Sequence, residues 1–222
     1  MVEAVIFDVD GTIVDSNELH VDAWDRAFRH FGKEFGRERL RQQIGKGADQ
    51  YLPEFLSEEE MKVFGKQIDQ YRSELFKKEY LPQVRPFEGV QELFQRIRRD
   101  GKKIALASSG KEQEIKAYQK IAKIEDLIDT ATTADDAEES KPEPDIFAAA
   151  LQKLGRPAPG NVLAVGDTPY DAEAAGKIGI ATIGVLCGGF SETELREAGM
   201  IAIYRDLADL LGQYETSHIF VR

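Results

Sequence analysis

Short apolar runs alternate with amphipathic segments along most of the chain. The first run, residues 4–9, is almost entirely hydrophobic and breaks at Asp10-Gly11, which is typical of a strand buried on both faces of a parallel sheet. Further runs occur at 103–108, 161–166 and 180–185, with weaker ones at 129–133 and 202–204. Segments of helical periodicity separate them at 89–99, 112–122, 145–154, 171–178 and 206–211. This alternation predicts a doubly wound α/β fold around a parallel sheet.

Residues 15–83 interrupt the alternation, because every pattern in them is helical. One face at helical spacing is formed by Leu19, Ala23, Ala27 and Phe31. Ser57 and Glu60 form a capping-box pattern, which predicts a second helix running to about residue 78. The pattern therefore predicts a small, wholly helical insert directly after the first strand.

Two prolines mark the end of this insert. Pro82 and Pro86 stop helix growth, and strands and helices alternate again immediately afterwards. The chain is therefore predicted to form two domains. These are an α/β core of residues 1–14 and 84–222, and a small α-helical cap domain of residues 15–83.

Composition and charge narrow the range of partners. The 222 residues are 42% hydrophobic and 31% charged, which is typical of a globular, soluble protein with a sizeable core. The formal net charge is -11. A field of that sign repels nucleic acid and acidic membrane surfaces, so neither is expected as a partner. Any site for a phosphate must be made attractive locally.

Cysteine usage and the N-terminus favour a cytoplasmic protein. Cys187 is the only cysteine, so no internal disulfide can form, which fits a reducing compartment. The first residues carry no basic stretch followed by a long apolar stretch, so no secretory signal is expected. No apolar run approaches the roughly 20 residues that span a bilayer. The pattern leaves open whether the protein is a monomer or a homodimer.

Four aspartates follow two of the predicted strands. Asp8 and Asp10 follow the first, and Asp167 and Asp171 follow the run at 161–166. Because ligands bind at the carboxyl edge of open parallel sheets, these carboxylates are expected to converge there. Two carboxylates about 4 Å apart repel by roughly 4 kcal/mol at an effective dielectric near 20. Such a cluster requires a cation, and oxygen ligands with phosphate nearby favour Mg²⁺.

Two further strand ends carry polar side chains. Ser108, Ser109 and Gly110 end the strand predicted at 103–108 and precede a helix, where hydroxyls and backbone N–H groups can hold a phosphate. Taken alone, they are more often an ordinary helix N-cap. Lys141 precedes the third core helix. It is a candidate cation for the same sheet edge or a solvated surface lysine.

These four groups occur in the order and at the strand ends of a known family. The segment Asp8-Val9-Asp10-Gly11-Thr12, Ser108, Lys141 and the segment Gly166-Asp167-Thr168-Pro169-Tyr170-Asp171 resemble the four motifs of the haloacid dehalogenase superfamily. The resemblance covers essentially the whole chain. It implies a Rossmann-like core with a helical cap inserted after the first motif.

The resemblance also implies a role for each motif residue. Asp8 would be the nucleophile that takes a phosphoryl group. Asp10 would protonate the leaving oxygen and later activate the water that hydrolyses the phosphoaspartate. Ser108 would hydrogen-bond the phosphoryl oxygens, and Lys141 would balance charge between Asp8 and the phosphoryl group.

Magnesium ligands follow from the same resemblance. Asp167 is the expected direct ligand, together with the Asp8 carboxylate and the backbone carbonyl of Asp10. Asp171 belongs to the acidic set but is more often linked to the ion through other ligands.

Smaller features separate the branches of the family. Dehalogenases generally lack the second aspartate of the first motif, so Asp10 indicates phosphate chemistry. The fourth motif resembles that of phosphoglycolate phosphatases. His20 and Trp24, after Asp15-Ser16, are found in many capped phosphatases and also in β-phosphoglucomutases. A sugar phosphomutase therefore stays open as an alternative, although such mutases tend to have Glu-Asp where this chain has Gly166-Asp167.

Several residues are candidates for substrate binding, each with a structural alternative. Lys46 lies between Gly45 and Gly47, where glycines permit close backbone approach and the ammonium group could meet an anion. The same segment could equally be a helix–helix turn with a solvated lysine. Lys111 has the same ambiguity, and His20 is as easily a helix-face residue near the hinge.

The sequence thus predicts a Mg²⁺-dependent phosphatase that acts through a phosphoaspartate. Its expected partner is a small phosphorylated metabolite of the phosphoglycolate or sugar phosphate type. A β-phosphoglucomutase-like phosphomutase is the first alternative. A non-catalytic binding module is the second, and nothing among the motif residues favours it.

Overall fold

The computed structural model describes residues 1–221 and contains a six-stranded parallel sheet. Its strand order is β5-β4-β1-β6-β7-β8, with β1 in the middle. The strands of this sheet are β1 (Ala4–Phe7), β4 (Lys103–Ala107), β5 (Thr130–Thr132), β6 (Val162–Gly166), β7 (Ala181–Val185) and β8 (Ala202–Tyr204). Two short strands, β2 (Val14–Asp15) and β3 (Arg85–Pro86), pair antiparallel outside it. The six predicted runs all form strands of one sheet, so the predicted fold class is confirmed.

Between β2 and β3, the described chain is helical and has its own hydrophobic core. The α-helices are α1 (Asn17–His30), α2 (Arg37–Arg41), α3 (Ala48–Tyr51), α4 (Glu58–Glu60) and α5 (Lys66–Leu75). Two π-helical turns, Met61–Gly65 and Phe76–Tyr80, and two 3₁₀ turns, Leu52–Glu54 and Leu81–Gln83, extend or connect them. Their apolar faces enclose a cluster that includes Trp24, Phe28, Leu40, Tyr51, Phe55 and Ile68. We call residues 16–84 the insert.

The second predicted helix of the insert is present but is not uniform. Ser57 caps it with Glu60 in the expected capping box. The helical path then runs from Glu58 to Tyr80, and its hydrogen bonding changes to the π pattern in two turns. The domain boundaries proposed above stay a prediction. The β2–β3 pairing, Val14 with Pro86 and Asp15 with Arg85, lies where the chain crosses into and out of the insert.

Helices cover both faces of the parallel sheet. They are α6 (Val90–Arg99), α7 (Glu112–Ala122), α8 (Asp145–Lys153), α9 (Pro169–Gly176), α10 (Glu192–Glu197), α11 (Leu207–Gly212) and α12 (His218–Val221), with 3₁₀ turns at Ala134–Asp136, Pro159–Asn161 and Tyr214–Thr216. Alternate residues of β1 face opposite ways. Val5 and Phe7 pack in one cluster with α6, α7 and α11, and Ala4 and Ile6 pack in the other with α8 and α9. This is the doubly wound arrangement.

Element bounds differ from the predicted ones by a few residues at most. Among the core helices, the largest difference concerns α9, predicted from residue 171 and observed from Pro169. Thr168 is its N-cap, and proline suits the first helical position because its missing N–H has no partner there. Asp171, from which the helix was predicted to begin, is therefore not its N-cap. Asp171 closes the capping box from the third position instead, accepting hydrogen bonds from Thr168.

In the described part of the chain, no helix is both long enough and apolar enough to cross a membrane.

Candidate active site

Three strand ends meet at the carboxyl edge of the sheet. Phe7, the last residue of β1, pairs with Leu106 on one side and Val165 on the other. Asp8 follows directly, and its backbone N–H donates to the Val165 carbonyl over 2.9 Å. The register therefore places Asp8 between the loop of Ser108 and the loop of Asp167. These three motifs, distant in the chain, thus lie at one edge of the sheet.

A buried ion cluster occupies this edge. Asp8, Asp167 and Asp171 each place a carboxylate oxygen within 4.8 Å of the others. Lys141 is only 1% exposed, and its ammonium group contacts the Asp8 carboxylate and donates to Asp171 Oδ1 over 2.7 Å. Three carboxylates and one ammonium leave a formal excess of negative charge inside the protein. Such an excess is costly because buried charges lose hydration.

Burial and the neighbouring charges shift the pKa values of Asp8, Asp167 and Lys141. Burial, together with the negative charge of Asp171, raises the pKa of Asp8 to about 7, although Lys141 opposes the shift. Burial and the two neighbouring carboxylates also raise the pKa of Asp167 well above its ordinary value. Burial alone would lower the pKa of Lys141, but the charges of Asp171 and Asp8 outweigh it and hold the pKa above its usual range. A further cation would relieve the excess charge.

The donor set fits a hard divalent ion such as Mg²⁺, which prefers carboxylate oxygens. All three carboxylates already accept hydrogen bonds. Asp171 uses one oxygen for the Lys141 ammonium and the other for the Thr168 N–H and hydroxyl, whereas both oxygens of Asp167 accept from neutral side chains only. The Asp10 carboxylate lies outside the set of three, so only its backbone carbonyl is left for the role predicted from the sequence.

Asp167 is held by residues that the sequence did not single out as functional. The Thr12 hydroxyl donates to its Oδ1 over 3.0 Å, and the Asn17 amide donates to its Oδ2 over 2.8 Å. The same Asn17 nitrogen donates to the Gly188 carbonyl over 2.9 Å. Thr12 could have been found from its place beside Asp8 and Asp10. Asn17 gave no signal, because its partners are more than 140 positions away in the chain.

We expect Gly188→Ala to destabilise the protein and lower its activity. A β-carbon at Gly188 would overlap the Asp167 carboxylate, so the carboxylate or the loop must move. Overpacking of this kind costs about 1–3 kcal/mol. The free energy of unfolding from urea denaturation, measured with phosphate release, checks the prediction. Gly160→Ala is the control, because nothing lies within 4 Å of a β-carbon there; equal stability of the two variants would contradict it.

Asp10 is bound by the insert and by the core. Its Oδ1 accepts from the Ser16 hydroxyl over 2.6 Å and lies 2.9 Å from His20 Nε2. His20 stacks on Phe76 with ring centroids 3.9 Å apart, and the Tyr118 hydroxyl lies 3.3 Å from the same ring nitrogen. Burial tends to raise the pKa of Asp10, but the charge of His20 and these hydrogen bonds outweigh it and hold the pKa below its ordinary value. His20 thus makes the largest of the contributions that lower the pKa of Asp10.

A cavity of about 60 Å³ lies between the insert and the core. This is room for a few water molecules. Asp8, Asp10 and His20 line it, together with Ser108, Ser109 and Gly110. Gly110 donates its N–H to the Ser108 hydroxyl over 3.0 Å, whereas the buried Ser109 hydroxyl has no partner in the described chain. The strand-end residues predicted to hold a phosphate thus line the same cavity as Asp8 and Asp10.

The two candidate lysines are arranged differently. Residues 44–48, including Lys46, line the cavity, but the Lys46 ammonium donates to Gln43 over 2.6 Å and to Glu54 over 2.7 Å. Lys111 is not among the lining residues. Its ammonium donates to Asp69 over 2.9 Å and to the Ser73 hydroxyl over 2.7 Å, which joins the core to the insert. A role for either lysine in substrate binding stays a prediction.

Two charged residues in the cavity wall were missed by the sequence analysis. Arg72 on α5 and Glu114 on α7 both line the cavity and are both buried. Trp24, which follows His20 in the pattern described above, lies beside them with the Arg72 guanidinium over its ring. No sequence signal marks Arg72 or Glu114, because single charged residues within helices are usually solvated.

The fold and the four strand-end motifs define a haloacid dehalogenase-like hydrolase. The model of that family, described as haloacid dehalogenase-like hydrolase, matches residues 5–185, and the chain belongs to this family. The family predicted from the sequence is therefore confirmed.

Curated relatives are named as phosphatases. The chain is 30% identical over 185 residues to a putative pyrophosphatase PpaX of Caldanaerobacter subterraneus subsp. tengcongensis, covering 83% of this chain and 81% of the relative. It is 28% identical over 208 residues to a phosphorylated carbohydrates phosphatase of Thermotoga maritima, covering 91% and 94%. The prediction of an enzyme, a haloacid dehalogenase-like phosphatase, is confirmed at this level.

Solved structures share the whole fold. A hydrolase from Pseudomonas syringae superposes with a TM-score of 0.86 at 28% identity, over 97% of this chain and 99% of its own. A putative β-phosphoglucomutase from Bacteroides vulgatus gives a TM-score of 0.82 at 24% identity, over 97% and 88%. The second likeness concerns the fold alone.

Proposed function

We propose that this chain is a Mg²⁺-dependent phosphatase that hydrolyses a small phosphorylated metabolite through a phosphoaspartate on Asp8. One observation carries the proposal: Asp8 faces the cavity while Lys141, Asp167 and Asp171 surround it from other loops of the same sheet edge. An aspartyl nucleophile requires such surroundings, because the phosphoryl group and the carboxylate repel each other until cations lie between them.

In the first step, a carboxylate oxygen of Asp8 attacks phosphorus and the bond to the leaving alcohol oxygen breaks. Lys141 holds the Asp8 carboxylate in place and balances its charge. The Ser108 hydroxyl and the backbone after it, which line the cavity, would bind the phosphoryl oxygens. Bound Mg²⁺, held by Asp8 and Asp167, would supply positive charge to the phosphoryl oxygens.

Asp10 is the proposed acid and base for the proton transfers of both steps. In the first step, Asp10 would give a proton to the leaving oxygen as the ester bond breaks, while Ser16 and His20 hold its carboxyl group in place. Asp10 then remains as a carboxylate, the form favoured by its lowered pKa. In the second step it takes a proton from a water molecule that attacks phosphorus, and the bond to Asp8 breaks.

Chelation is expected to stop the reaction. With EDTA, hydrolysis of p-nitrophenyl phosphate should fall to the background rate, and excess Mg²⁺ should restore it, because the buried carboxylates lack enough positive charge without the ion. Mg²⁺ should also raise the melting temperature of the wild-type protein, since a ligand that binds only the folded state stabilises it. Full activity in EDTA would contradict the metal assignment. Asp167→Asn is the control, in which the Mg²⁺-dependent rise should be lost.

A sugar phosphomutase is the alternative, and the contact between His20 and Asp10 favours it. The contact joins His20 of the insert to Asp10, the proposed acid–base group. A mutase would require such a link, because its insert must exclude water while the phosphoryl group returns to the substrate. β-Glucose 1-phosphate with a bisphosphate primer separates the two functions. A phosphatase releases inorganic phosphate; formation of glucose 6-phosphate with little free phosphate would overturn the hydrolase proposal.

A further inference from the structure

The proposed chemistry makes no use of two buried charged side chains in the cavity wall. Arg72 is 8% exposed and comes from the insert, whereas Glu114 is 7% exposed and comes from the core. Arg72 Nη1 lies 3.8 Å from Glu114 Oε1. Both residues line the cavity that contains Asp8 and Asp10. Charged groups are seldom buried at such a place without a function.

The hydrogen-bonding capacity of this pair is largely unfilled. The Arg72 guanidinium makes one hydrogen bond in the described chain, a long one of 3.3 Å from Nη2 to Asp69. Its Nε is buried without a partner, and the 3.8 Å separation from Glu114 is too long for a hydrogen bond. In the described part of the chain, the cation that the Glu114 carboxylate faces is this same Arg72 guanidinium, at a distance beyond hydrogen bonding. The wall therefore has donors and an acceptor side by side.

The charge of Arg72 is not free to attract an anion. Asp69 and Glu114 both lie within 4 Å of its guanidinium, and Lys111 pairs with Asp69 behind it. An anion beside this pair would be attracted by Arg72 and repelled by Glu114 at comparable distances. The attraction to Arg72 and the repulsion from Glu114 oppose each other. Together they would not compensate for the hydration that the anion loses on entering the cavity. The additional carboxylates of Asp8 and Asp10 in the same cavity add to the repulsion.

A neutral hydroxyl group can form hydrogen bonds with both Arg72 and Glu114 at the same time. It accepts a hydrogen bond from the Arg72 guanidinium and donates one to the Glu114 carboxylate. No net charge is added to the cavity, and both buried groups become satisfied. Because one partner is on the insert and the other on the core, a hydroxyl between them also ties the two together around the substrate.

We propose that Arg72 and Glu114 form a specificity pair that binds a hydroxyl of the leaving group. The preferred substrate is then the phosphate ester of a neutral, polyhydroxylated alcohol, a sugar or polyol phosphate, rather than a phosphorylated acid or pyrophosphate. This inference rests on the proposed phosphatase function and names its substrate class.

Two probes that differ in one group test it. Glycerol 3-phosphate and 3-phosphoglycerate are matched except that a hydroxymethyl group in the first is a carboxylate in the second. Phosphate release should give a kcat/KM about tenfold or more higher for glycerol 3-phosphate, because a site built for a hydroxyl rejects a group that leaves its partners unpaired. Pyrophosphate should be the poorer substrate as well.

The two members of the pair should respond differently to substitution. Glu114→Gln removes the negative charge with little change of shape, so the ratio of the two kcat/KM values should approach one. Arg72→Gln should lower kcat/KM for both probes without lowering the ratio, because Glu114 still repels the carboxylate of 3-phosphoglycerate. Glu112→Gln is the matched control, since Glu112 is on the same helix but is exposed and paired with Lys116; it should keep the wild-type ratio. Circular dichroism confirms that each variant is folded.

The possible outcomes separate the two proposals. Faster hydrolysis of 3-phosphoglycerate or pyrophosphate by the wild-type protein would overturn the specificity pair and leave the phosphatase proposal intact. An unchanged ratio in folded Glu114→Gln would do the same. If no phosphate is released from these probes or from p-nitrophenyl phosphate with Mg²⁺ present, the proposed phosphatase function is wrong. The specificity pair, which rests on that function, is then overturned as well.

Discussion

Replacing Asp8 with asparagine is expected to abolish phosphate release from p-nitrophenyl phosphate, by about 10⁴-fold or more. The amide cannot form the phosphoaspartate on which both steps depend, whereas its size and shape fit the same buried place beside Lys141. The turnover number with saturating Mg²⁺ measures the loss, and near-ultraviolet circular dichroism checks that packing is retained. A variant with substantial activity would overturn the assignment of Asp8 as the nucleophile.

The same substitution has a second, independent signature in metal-free buffer. Burial raises the pKa of Asp8 to about 7, so the folded state holds this proton more tightly than the unfolded state, where the pKa is near 4. The Asp8 carboxyl therefore costs stability as pH rises from about 4 to 7. Asparagine has no such dependence, so the variant should gain stability relative to wild type over this range. Asp22→Asn, at an exposed site of the insert, is the control and should show no such gain.

The second large effect is expected for Lys141→Met, which removes the ammonium group that joins Asp8 and Asp171. Methionine has a similar length and no charge, so three buried carboxylates would remain without their cation. Breaking a buried ion pair in this way costs about 3–5 kcal/mol. Urea denaturation measures the cost. Activity should fall by about 10²-fold or more, because charge on the phosphoryl group is no longer balanced.

Mg²⁺ distinguishes loss of charge from loss of packing in this variant. The ion binds the same carboxylates, so adding it should recover part of the lost stability without restoring activity. Lys153→Met is the matched control, because Lys153 is paired with Asp136 but is 37% exposed. Exposed pairs contribute about 0–1 kcal/mol. Equal stability of the two lysine variants would mean that the buried cluster does not need Lys141.

The sheet and the residues at its edge were predictable for a physical reason. A parallel strand must be buried on both faces, so its sequence is apolar until the strand ends, and the change at Asp8, Asp10 and Asp167 marks those ends. The helical connections make the strands parallel, so every such end lies at the same edge of the sheet. Positions far apart in the chain could therefore be joined without knowledge of any side-chain contact. The position of Lys141 was predictable for a related reason, because the segment before a core helix lies at the same edge of the sheet.

The wall of the cavity was not predictable in this way. Arg72 and Glu114 meet only because the insert lies against α7, and nothing in the helical patterns specifies how the two parts of the chain pack. Long side chains add a second difficulty. The loop containing Lys46 does line the cavity, as its glycines indicated, but its ammonium group binds Glu54 instead. A sequence pattern locates the backbone of such a residue and leaves the direction of its charged end undetermined.

The antiparallel pairing of β2 with β3 bears on how such enzymes can be altered. Val14 with Pro86 and Asp15 with Arg85 bring together the two points at which the chain leaves and rejoins the core. An insert of another length or sequence could replace this one with its ends already adjacent, and the cost of closing a longer loop grows only slowly with length. Exchange of the whole segment, by recombination or in the laboratory, would change Arg72 and its neighbours while Asp8, Lys141 and Asp167 stay in the recipient. The chemistry and the choice of substrate are thus separable by grafting.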